Sequence, residues 1–228
     1  MPDQPTDEEP APLTVVAIDG PAGSGKSTVA KLVAAGLGLE YLDTGAMYRG
    51  VTFAVLRRNL DPDDVEVVAR VARQVELELT EAKVVVDAVD ATIEIRGPAV
   101  TRAVSVVAAN PEVRVELRRR QREWVAERGG GVLEGRDIGS VVFPDAALKV
   151  YLTASPDVRA DRRSKEVTDL DYETVAADIA RRDAADRGRD DSPLAQADGA
   201  VLVDTTDRDI DEIVADLLAR VGAAVGDR

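Results

Sequence analysis

The most chemically specific stretch of this sequence is the run GPAGSGKST at residues 20–28. It fits the pattern G-x-x-x-x-G-K-[ST], in which the backbone N–H groups of a glycine-rich loop surround phosphate oxygens. The apolar run 15–18 precedes it and the helix-like segment 29–35 follows it, so strand, loop and helix come in the order that the motif requires. The pattern predicts nucleoside triphosphate binding, against the alternative of a glycine-rich turn without a ligand.

The positions of this loop have distinct predicted contributions to phosphate binding. Its glycines allow positive φ angles and a close backbone approach, while the helix N-terminus presents partial positive charge to the β-phosphate. We expect Lys26 to reach the β- and γ-phosphates and the Ser27 hydroxyl to ligate the Mg²⁺ that accompanies ATP. The predicted ATP-binding residues of the loop are Gly20, Pro21, Ala22, Gly23, Ser24, Gly25, Lys26, Ser27 and Thr28.

Polar clusters also follow other apolar runs. Thr44 and Tyr48 are four residues apart and share a face of a predicted helix, with Arg49 beside them. Arg136 and Asp137 leave the carboxyl end of a predicted central strand, where a sheet of this kind places substrate contacts. These residues could bind one ligand. The alternatives are a capping threonine, a core tyrosine, a solvated arginine and a structural Arg–Asp pair.

The segment 155–192 is rich in both charges and is predicted to be helical. Arg182, Asp186 and Arg189 are spaced by four and three residues, which places them on one face of a helix. Arg162 and Arg163 lie on the preceding segment. Such a segment could be a solvated helical hairpin, or a mobile lid whose arginines neutralise a phosphoryl group during transfer.

A further helix is predicted over residues 110–127. Val113, Leu117 and Trp124 recur at helical spacing and indicate its core face. Arg114, at the start of this helix, is its candidate functional residue. We expect its other arginines, such as Arg118 and Arg122, to be solvated and paired with Glu116 and Glu123.

Composition narrows the chemistry and the partners. The 228 residues contain no cysteine and no histidine, so catalysis must use carboxylates, Lys, Arg, hydroxyls and a bound metal, an inventory that suits phosphoryl transfer. A net charge of −14 argues against a nucleic-acid partner. No apolar run approaches the ~18 residues of a membrane span, and residues 1–12 lack the features of a signal peptide. We expect a cytoplasmic monomer with a short disordered tail at residues 1–12 and no membrane partner.

The scaffold predicted for these residues is an α/β fold. Five apolar runs alternate with helical patterns, which indicates a P-loop-type parallel sheet with helices on both faces and a site at the carboxyl ends of the strands. Three β-rich segments with short connections predict a small antiparallel insertion, at residues 75–80, 83–87 and 92–96. The five runs are residues 15–18, 40–43, 131–134, 148–152 and 200–203.

Four separated motifs of the chain resemble those of the bacterial cytidylate kinases, which are nucleoside monophosphate kinases. They are GPAGSGKST at 20–28, YLDTGAMYR at 41–49, LEGRDIGSVVFPDA at 133–146 and RRDAADRGRDDSPL at 181–194. The resemblance implies a P-loop core formed by residues 13–60, 102–154 and 193–228. It also implies a monophosphate-binding insertion at 61–101 and a helical lid at 155–192.

The same resemblance implies transfer of the ATP γ-phosphoryl group to CMP or dCMP in the presence of Mg²⁺, as part of pyrimidine nucleotide metabolism. It implies that cytosine is contacted or framed by Thr44, Ser105, Arg114 and Asp137, with Tyr48 packed nearby. Arg49 and Arg136 would bind the acceptor phosphate. Sugar and phosphate would be engaged by Arg182, Asp186 and Arg189.

The remaining assignments complete the predicted site. Arg162 and Arg163 are assigned to the ATP side, whereas Tyr41 and Met47 are interpreted as packing residues. The predicted catalytic residues are Lys26, Arg136, Arg182, Asp186 and Arg189.

Two other interpretations stay open on the residues alone. The triple glycine at residues 129–131 superficially suits a polyol acceptor, as in a kinase similar to shikimate kinase. A GTP-dependent switch is disfavoured because the sequence has neither an NKxD nor a DxxG motif.

Overall fold

The computed structural model describes residues 13–166 and 171–226. The predicted tail at residues 1–12 therefore lies outside the described residues. In chain order the described strands are β1 (Thr14–Asp19), β2 (Tyr41–Asp43), β3 (Leu77–Leu79), β4 (Val84–Val86), β5 (Val89–Asp90), β6 (Gly130–Gly135), β7 (Leu148–Thr153) and β8 (Val201–Asp204). The helices are α1 (Lys26–Leu37), α2 (Thr44–Arg57), α3 (Val65–Gln74), α4 (Pro98–Ala109), α5 (Pro111–Arg128), α6 (Pro156–Glu166), α7 (Tyr172–Arg187) and α8 (Ile210–Gly226).

Five strands form a parallel sheet in the order β2-β6-β1-β7-β8. The register of the strands brings their carboxyl ends to one edge of the sheet. At this edge Asp19 lies opposite Gly135 and Tyr151, and Asp43 lies opposite Glu134. The five predicted strands are confirmed, and the fold is the predicted α/β arrangement with helices on both faces. Chemical groups that follow these strands therefore meet at one edge of the sheet.

Side chains alternate between the two faces of the central strand. Val15 and Ala17 belong to the core on the side of α2 and α5, whereas Val16 and Ile18 belong to the core on the side of α1 and α8. All four are at most 4% exposed. Small aliphatic residues therefore fill both layers, which a composition with only 3% aromatic residues requires.

The small antiparallel sheet is confirmed, but its third strand is not where the sequence predicted it. β3, β4 and β5 pair in order, and β5 is Val89–Asp90 rather than a strand within residues 92–96. Asp87 and Ala88 have φ angles of 48° and 60°, so a tight turn returns the chain at once. Residues 94–96 form a short 3-10 helix that buries Ile95.

The predicted helix at 110–127 is confirmed as α5, which the Asn110 side chain caps by accepting from the N–H groups of Glu112 and Val113. The expected pairing of its arginines is wrong. Glu116 pairs with Arg119 and Arg120, while Glu123 pairs with Arg119. Both glutamates thus pair with arginines on the same helix. Arg118 and Arg122 instead contact distant segments of the chain.

Within the part of the chain that the structure describes, no helix combines the length and the apolar character needed to cross a membrane. The division into core, insertion and lid stays a prediction. α4 runs without interruption from residue 98 to residue 109, across the predicted boundary at 101 and 102.

Candidate active site

The carboxyl edge of the sheet opens into a cleft of about 1130 Å³. The phosphate loop, the start of α2, the segment after β6, and helices α6 and α7 all contribute to its walls. Gly20 and Pro21 are not among the described lining residues and lie at the base of the loop. The other predicted site residues all line the cleft: Ala22, Gly23, Ser24, Gly25, Lys26, Ser27, Thr28, Thr44, Tyr48, Arg49, Ser105, Arg114, Arg136, Asp137, Arg162, Arg163, Arg182, Asp186 and Arg189.

The phosphate loop depends on glycine at two closely packed positions. A Cβ atom on Gly20, whose φ is 152°, would lie 2.0 Å from the carbonyl oxygen of Leu152. One on Gly23, whose φ is 75°, would lie 2.7 Å from the carbonyl oxygen of Arg159. Any other residue would have to displace backbone, so the loop is fixed against β7 on one side and α6 on the other.

Lys26 is buried at the first turn of α1 and lies among charges of both signs. Its Nζ donates to the carbonyl oxygen of Pro21 at 2.8 Å. Burial lowers the pKa of Lys26 to about 7, and repulsion from Arg136 adds to this, whereas Glu134 and Asp19 act in the opposite direction. A phosphate anion beside the amine would favour its charged form.

Asp19 is a site residue that the sequence analysis missed. Its carboxylate accepts from the backbone N–H groups of Ile138 at 2.9 Å and Gly139 at 2.8 Å. Burial raises its pKa to about 6, although both hydrogen bonds lower it. Asp19 therefore fixes the segment after β6 to the end of β1. Its signal was its place as the carboxylate that ends the strand before the glycine loop.

Glu134 is a second buried carboxylate that the analysis missed. The Tyr41 hydroxyl donates to it, so Tyr41 has a polar contact beyond the packing role predicted for it. Burial raises the pKa of Glu134 and repulsion from Asp43 adds to this, while Lys26 and the Ser27 hydroxyl lower it. The signal for Glu134 was its position two residues before Arg136, at the end of a central strand.

The donor set fits a magnesium ion that arrives with a nucleotide. The Ser27 hydroxyl and the Glu134 carboxylate offer the oxygen ligands that this ion prefers. Among the described residues, no group of three or more His, Cys, Asp or Glu side chains could hold a metal ion. Magnesium in such sites takes one or two protein ligands, and the other positions go to water and phosphate.

On the opposite wall, α2 begins at Thr44. The cap of this helix is Asp43, which accepts from the N–H of Ala46, so the alternative of a capping threonine is wrong. The Thr44 hydroxyl instead donates to the carbonyl oxygen of Glu134 at 2.6 Å. This bond connects α2 to β6.

Arg49 is buried one turn further along α2, so it is not a solvated arginine. Its Nη1 donates to the carbonyl oxygen of Ile95 at 2.8 Å and to the Thr101 hydroxyl at 3.1 Å. Burial lowers its pKa to about 9, with further repulsion from Arg182 and Arg163. Asp43 acts in the opposite direction, and an anion bound beside Arg49 would further favour its charged form.

Asp137 pairs with Arg114 rather than with its neighbour Arg136. Arg114 Nη2 donates to Asp137 Oδ2 at 2.6 Å, and both side chains are almost completely buried. The Arg114 guanidinium lies 5.5 Å from the centre of the Tyr48 ring. These three residues form one wall, so the alternative of a local Arg136–Asp137 pair is wrong.

Arg136 reaches across the cleft to α7. Its Nε donates to Asp186 Oδ2 at 2.8 Å, and Arg189 donates to the other carboxylate oxygen. The two guanidiniums hold the pKa of Asp186 below its usual range against the effect of burial. Burial lowers the pKa of Arg182 to about 10, and repulsion from Arg136 adds to this.

The predicted helical face is wrong for Arg189, because α7 ends at Arg187 with Gly188 as its C-cap. Arg189 still contacts Asp186, because the chain turns back after the helix. The predicted charged segment is otherwise helical, in α6 and α7, and its residues 167–170 lie outside the described part of the chain.

Arg162 donates to the hydroxyl and the carbonyl oxygen of Thr205, at 2.8 and 2.7 Å. Thr205 and Arg208, which follow β8, also line this end of the cleft and were not predicted. Their signal was the rule used elsewhere in the chain, namely a polar segment directly after a parallel strand.

A glycine loop after the first strand of a parallel sheet, a buried lysine in that loop and a cleft walled by arginines together define a P-loop phosphotransferase. The chain belongs to the cytidylate kinase family, because the family model described as cytidylate kinase matches residues 16–223. This match decides against both the interpretation as a kinase similar to shikimate kinase and the GTP-dependent switch.

Individual relatives agree with this assignment. The cytidylate kinase of Caldanaerobacter subterraneus subsp. tengcongensis is 49% identical over 207 residues, which cover 89% of this chain and 92% of the relative. That of Mycolicibacterium paratuberculosis is 50% identical over 201 residues, covering 85% and 88%. A crystal structure of an uncharacterized protein from Eubacterium ventriosum superposes with a TM-score of 0.53 at 12% identity, covering 92% of this chain and 99% of that one, which shows a shared fold.

Proposed function

We propose that this protein is a cytidylate kinase, which transfers the γ-phosphoryl group of ATP to CMP or dCMP and forms CDP or dCDP. The proposal rests on the arrangement of one cleft. Lys26 of the phosphate loop lies near Arg136, and beyond Arg136 the opposite wall of the cleft is rich in arginine. Membership of the family supports the choice of acceptor.

On the donor side, the loop at residues 20–28 would hold the ATP phosphates through its backbone N–H groups. Lys26 would contact the β- and γ-phosphates, and Arg162 and Arg163 would flank the nucleotide. Ser27 and Glu134 are the residues that would hold Mg²⁺, directly or through water. A magnesium ion held by these residues would neutralise negative charge on the nucleotide phosphates.

On the acceptor side, cytosine would be framed by Thr44, Ser105, Arg114 and Asp137, with Tyr48 against it. Arg49 and Arg136 would bind the acceptor phosphate. Arg182, Asp186 and Arg189 would engage sugar and phosphate. The Arg114–Asp137 pair supports this assignment, since together its side chains present a donor and an acceptor with fixed orientations.

The attacking group needs no strong base. A phosphate monoester has a second pKa of about 6, so its oxygen is largely deprotonated near neutral pH. The obstacle is repulsion between two polyanions. Lys26, Arg136 and Arg182 repel each other across the cleft, and anionic substrates would replace that repulsion with attraction. With nucleotide bound, α6 and α7 would shield the phosphates from the water that hydrolyses ATP.

We further infer a cytoplasmic monomer that acts in pyrimidine nucleotide metabolism. The net charge of −14 supports the exclusion of nucleic-acid partners.

The test is ADP release in a coupled assay with Mg-ATP and each of CMP, dCMP, UMP, AMP, GMP and shikimate as the sole acceptor. We expect CMP and dCMP to give the highest rates. Arg136→Ala should lower kcat with CMP by about 10²–10³-fold, since it removes one charged donor to the transferring group.

The matched control is Arg181→Ala, because Arg181 lies on the exposed side of α7 and pairs with Asp178 at 2.9 Å. It should retain activity within about twofold. If no acceptor stimulates ADP release while ATP still binds, the proposed acceptor is wrong. If Arg136→Ala folds and keeps its activity, the role of Arg136 is wrong.

A further inference from the structure

The phosphate loop and the α6–α7 hairpin share one apolar cluster. Ala22 of the loop packs with Ala160 of α6 and with Val175 and Ile179 of α7, and each of the four is at most 7% exposed. A loop residue therefore completes the interior of the hairpin. The base of the hairpin and the loop form a single packed unit.

The buried ion pair between Arg159 and Asp183 makes hydrogen bonds with both the N–H and the carbonyl oxygen of Ala22. Arg159 Nη1 donates to the carbonyl oxygen of Ala22 at 3.1 Å and also to Asp183 Oδ2. Asp183 Oδ1 accepts from the Ala22 N–H at 3.3 Å. The side chains of Arg159 and Asp183 are 9% and 3% exposed. The pair thus connects α6 and α7 to one position of the loop.

The next two loop residues are held from the same side. Gly23 packs so closely on the backbone of Arg159 that a side chain would collide with it. The carbonyl oxygen of Ser24 accepts from the Thr205 hydroxyl at 3.1 Å, and Arg162 donates to that hydroxyl. One turn of α6 therefore fixes three consecutive residues of the loop, either directly or through Thr205.

We infer that Arg159 and Asp183 are positioning residues, which set the phosphate loop at a fixed distance from the cationic groups of α7. Neither belongs to the described lining of the cleft, so they act through other residues. Asp183 directly follows Arg182, and α7 also carries Asp186. The pair therefore fixes the position of the phosphate loop relative to Arg182. The loop would hold the donor phosphates, and Arg182 would neutralise the transferring group. This inference rests on the proposed function for its consequences in catalysis.

The decisive variant is Arg159→Met/Asp183→Leu. Replacing a buried ion pair by apolar residues of similar volume is often neutral for stability, but here it also leaves the N–H and the carbonyl oxygen of Ala22 without their side-chain partners. We expect a variant that folds but unfolds at a lower temperature than the wild type, Mg-ATP affinity weakened at least about tenfold, and CMP affinity within about threefold, with titration calorimetry of each nucleotide alone as the measurement. The control is Asp178→Ala/Arg181→Ala, an exposed pair on the same helix.

The inference is overturned if the double variant folds and binds Mg-ATP as tightly as the wild type, or if the affinities for Mg-ATP and CMP fall equally. Because nucleotide binding is measured without turnover, it tests the pair even if the wild type phosphorylates no cytidine nucleotide, an outcome that would overturn only the proposed function.

Hydrogen exchange of the wild type provides a second test that does not depend on the variant folding. The Ala22 amide of the nucleotide-free protein should exchange at the same protected rate as the amides of α7 around Asp183, since one opening event would expose both. Fast exchange of Ala22 beside a protected α7 would overturn the inference.

Discussion

At the scale of single residues, the cleft holds cations that burial and mutual repulsion make unfavourable. The pKa values of Lys26, Arg49 and Arg182 are lowered to about 7, about 9 and about 10, with burial as the largest cause in each case. A bound anion reverses the balance, because it favours the charged form. Of the three, Lys26 is the group whose charge changes near neutral pH.

We therefore predict that Mg-ATP binding takes up a proton at pH 8. With a pKa of about 7, Lys26 is mostly neutral at this pH before binding, and the phosphates should raise its pKa well above 8. The expected uptake is roughly 0.5–1 proton per site, since the phosphate itself is already deprotonated at this pH. Titration calorimetry in buffers with different ionisation enthalpies measures it.

The control for this uptake is Lys26→Met. The folded pKa of Lys26 lies below its ordinary value of 10.5, so ionisation of this lysine destabilises the folded state: the cost is absent above pH 10.5, grows as the pH falls toward about 7 and is constant below that. At pH 7 the variant should therefore unfold at a higher temperature than the nucleotide-free wild type, and it should show no uptake on any residual binding. An uptake near zero in the wild type would contradict the assignment of Lys26.

At the scale of elements, α5 holds the segment that follows α7. Arg118 Nη2 donates to both carboxylate oxygens of Asp191 at 2.8 Å and also to Ser192. Ser192 has a φ of 54°, a left-handed backbone conformation that residues with a side chain rarely adopt. The same helix carries Arg114, so α5 sets the distance between Arg114 and Arg189.

Arg118→Lys should therefore raise KM for CMP about tenfold and leave KM for ATP within about twofold. Lysine keeps the charge but has no guanidinium, whose Nη2 contacts Asp191 and Ser192 while its Nε lies 3.8 Å from Asp137. Steady-state kinetics with each substrate varied in turn make the measurement. The matched control is Arg119→Lys, which changes the next residue of α5, an exposed arginine paired with Glu116 and Glu123. Equal rises in both KM values would show a general loss of structure instead.

The elements were predictable where the sequence pattern is local. The five strands, α5 and the phosphate loop follow from apolar runs, helical periodicity and a fixed motif. The position of the third strand of the insertion was not predictable, because the turn at Asp87 and Ala88 depends on positive φ angles in residues other than glycine. The pairing of Arg118 was missed because its partner lies 73 residues away, and nearby glutamates offered a simpler local arrangement.

For the site, the sequence predicted which residues come together but not which of them pair with each other. Every polar group placed after a strand had to lie at the carboxyl edge of the sheet. Which groups pair there depends on how α7 and α5 pack: Arg136 contacts Asp186 of α7, and Asp137 contacts Arg114 of α5. Asp19 and Glu134 were missed because a single carboxylate at the end of a strand has no distinctive spacing.

At the scale of the whole molecule, charge is distributed unevenly. The chain carries a net charge of −14, yet lysines and arginines far outnumber carboxylates in the lining of the cleft. The acidic remainder repels anions at long range, whereas the cleft attracts them within about 8 Å, the screening length at physiological salt. Concave walls of low dielectric strengthen the local field.

We predict that the local field dominates, so that Kd for CMP rises about three- to tenfold between 50 and 500 mM salt. Equilibrium titration of the nucleotide alone measures this. Cytidine, which has no phosphate, is the neutral reference, and its Kd should change by less than about twofold over the same range. Tighter CMP binding at high salt would mean that the net charge of the molecule outweighs the cleft.

The like charges buried around Lys26, Arg49 and Arg182 also have a consequence for the protein inside a cell. Nucleotides bind the folded chain and relieve its internal repulsion, so by mass action they shift the unfolding equilibrium toward the native form. Proteases cut chains that open transiently, and the open fraction rises as bound nucleotide is lost. A larger supply of its own substrates should therefore protect this protein from proteolysis.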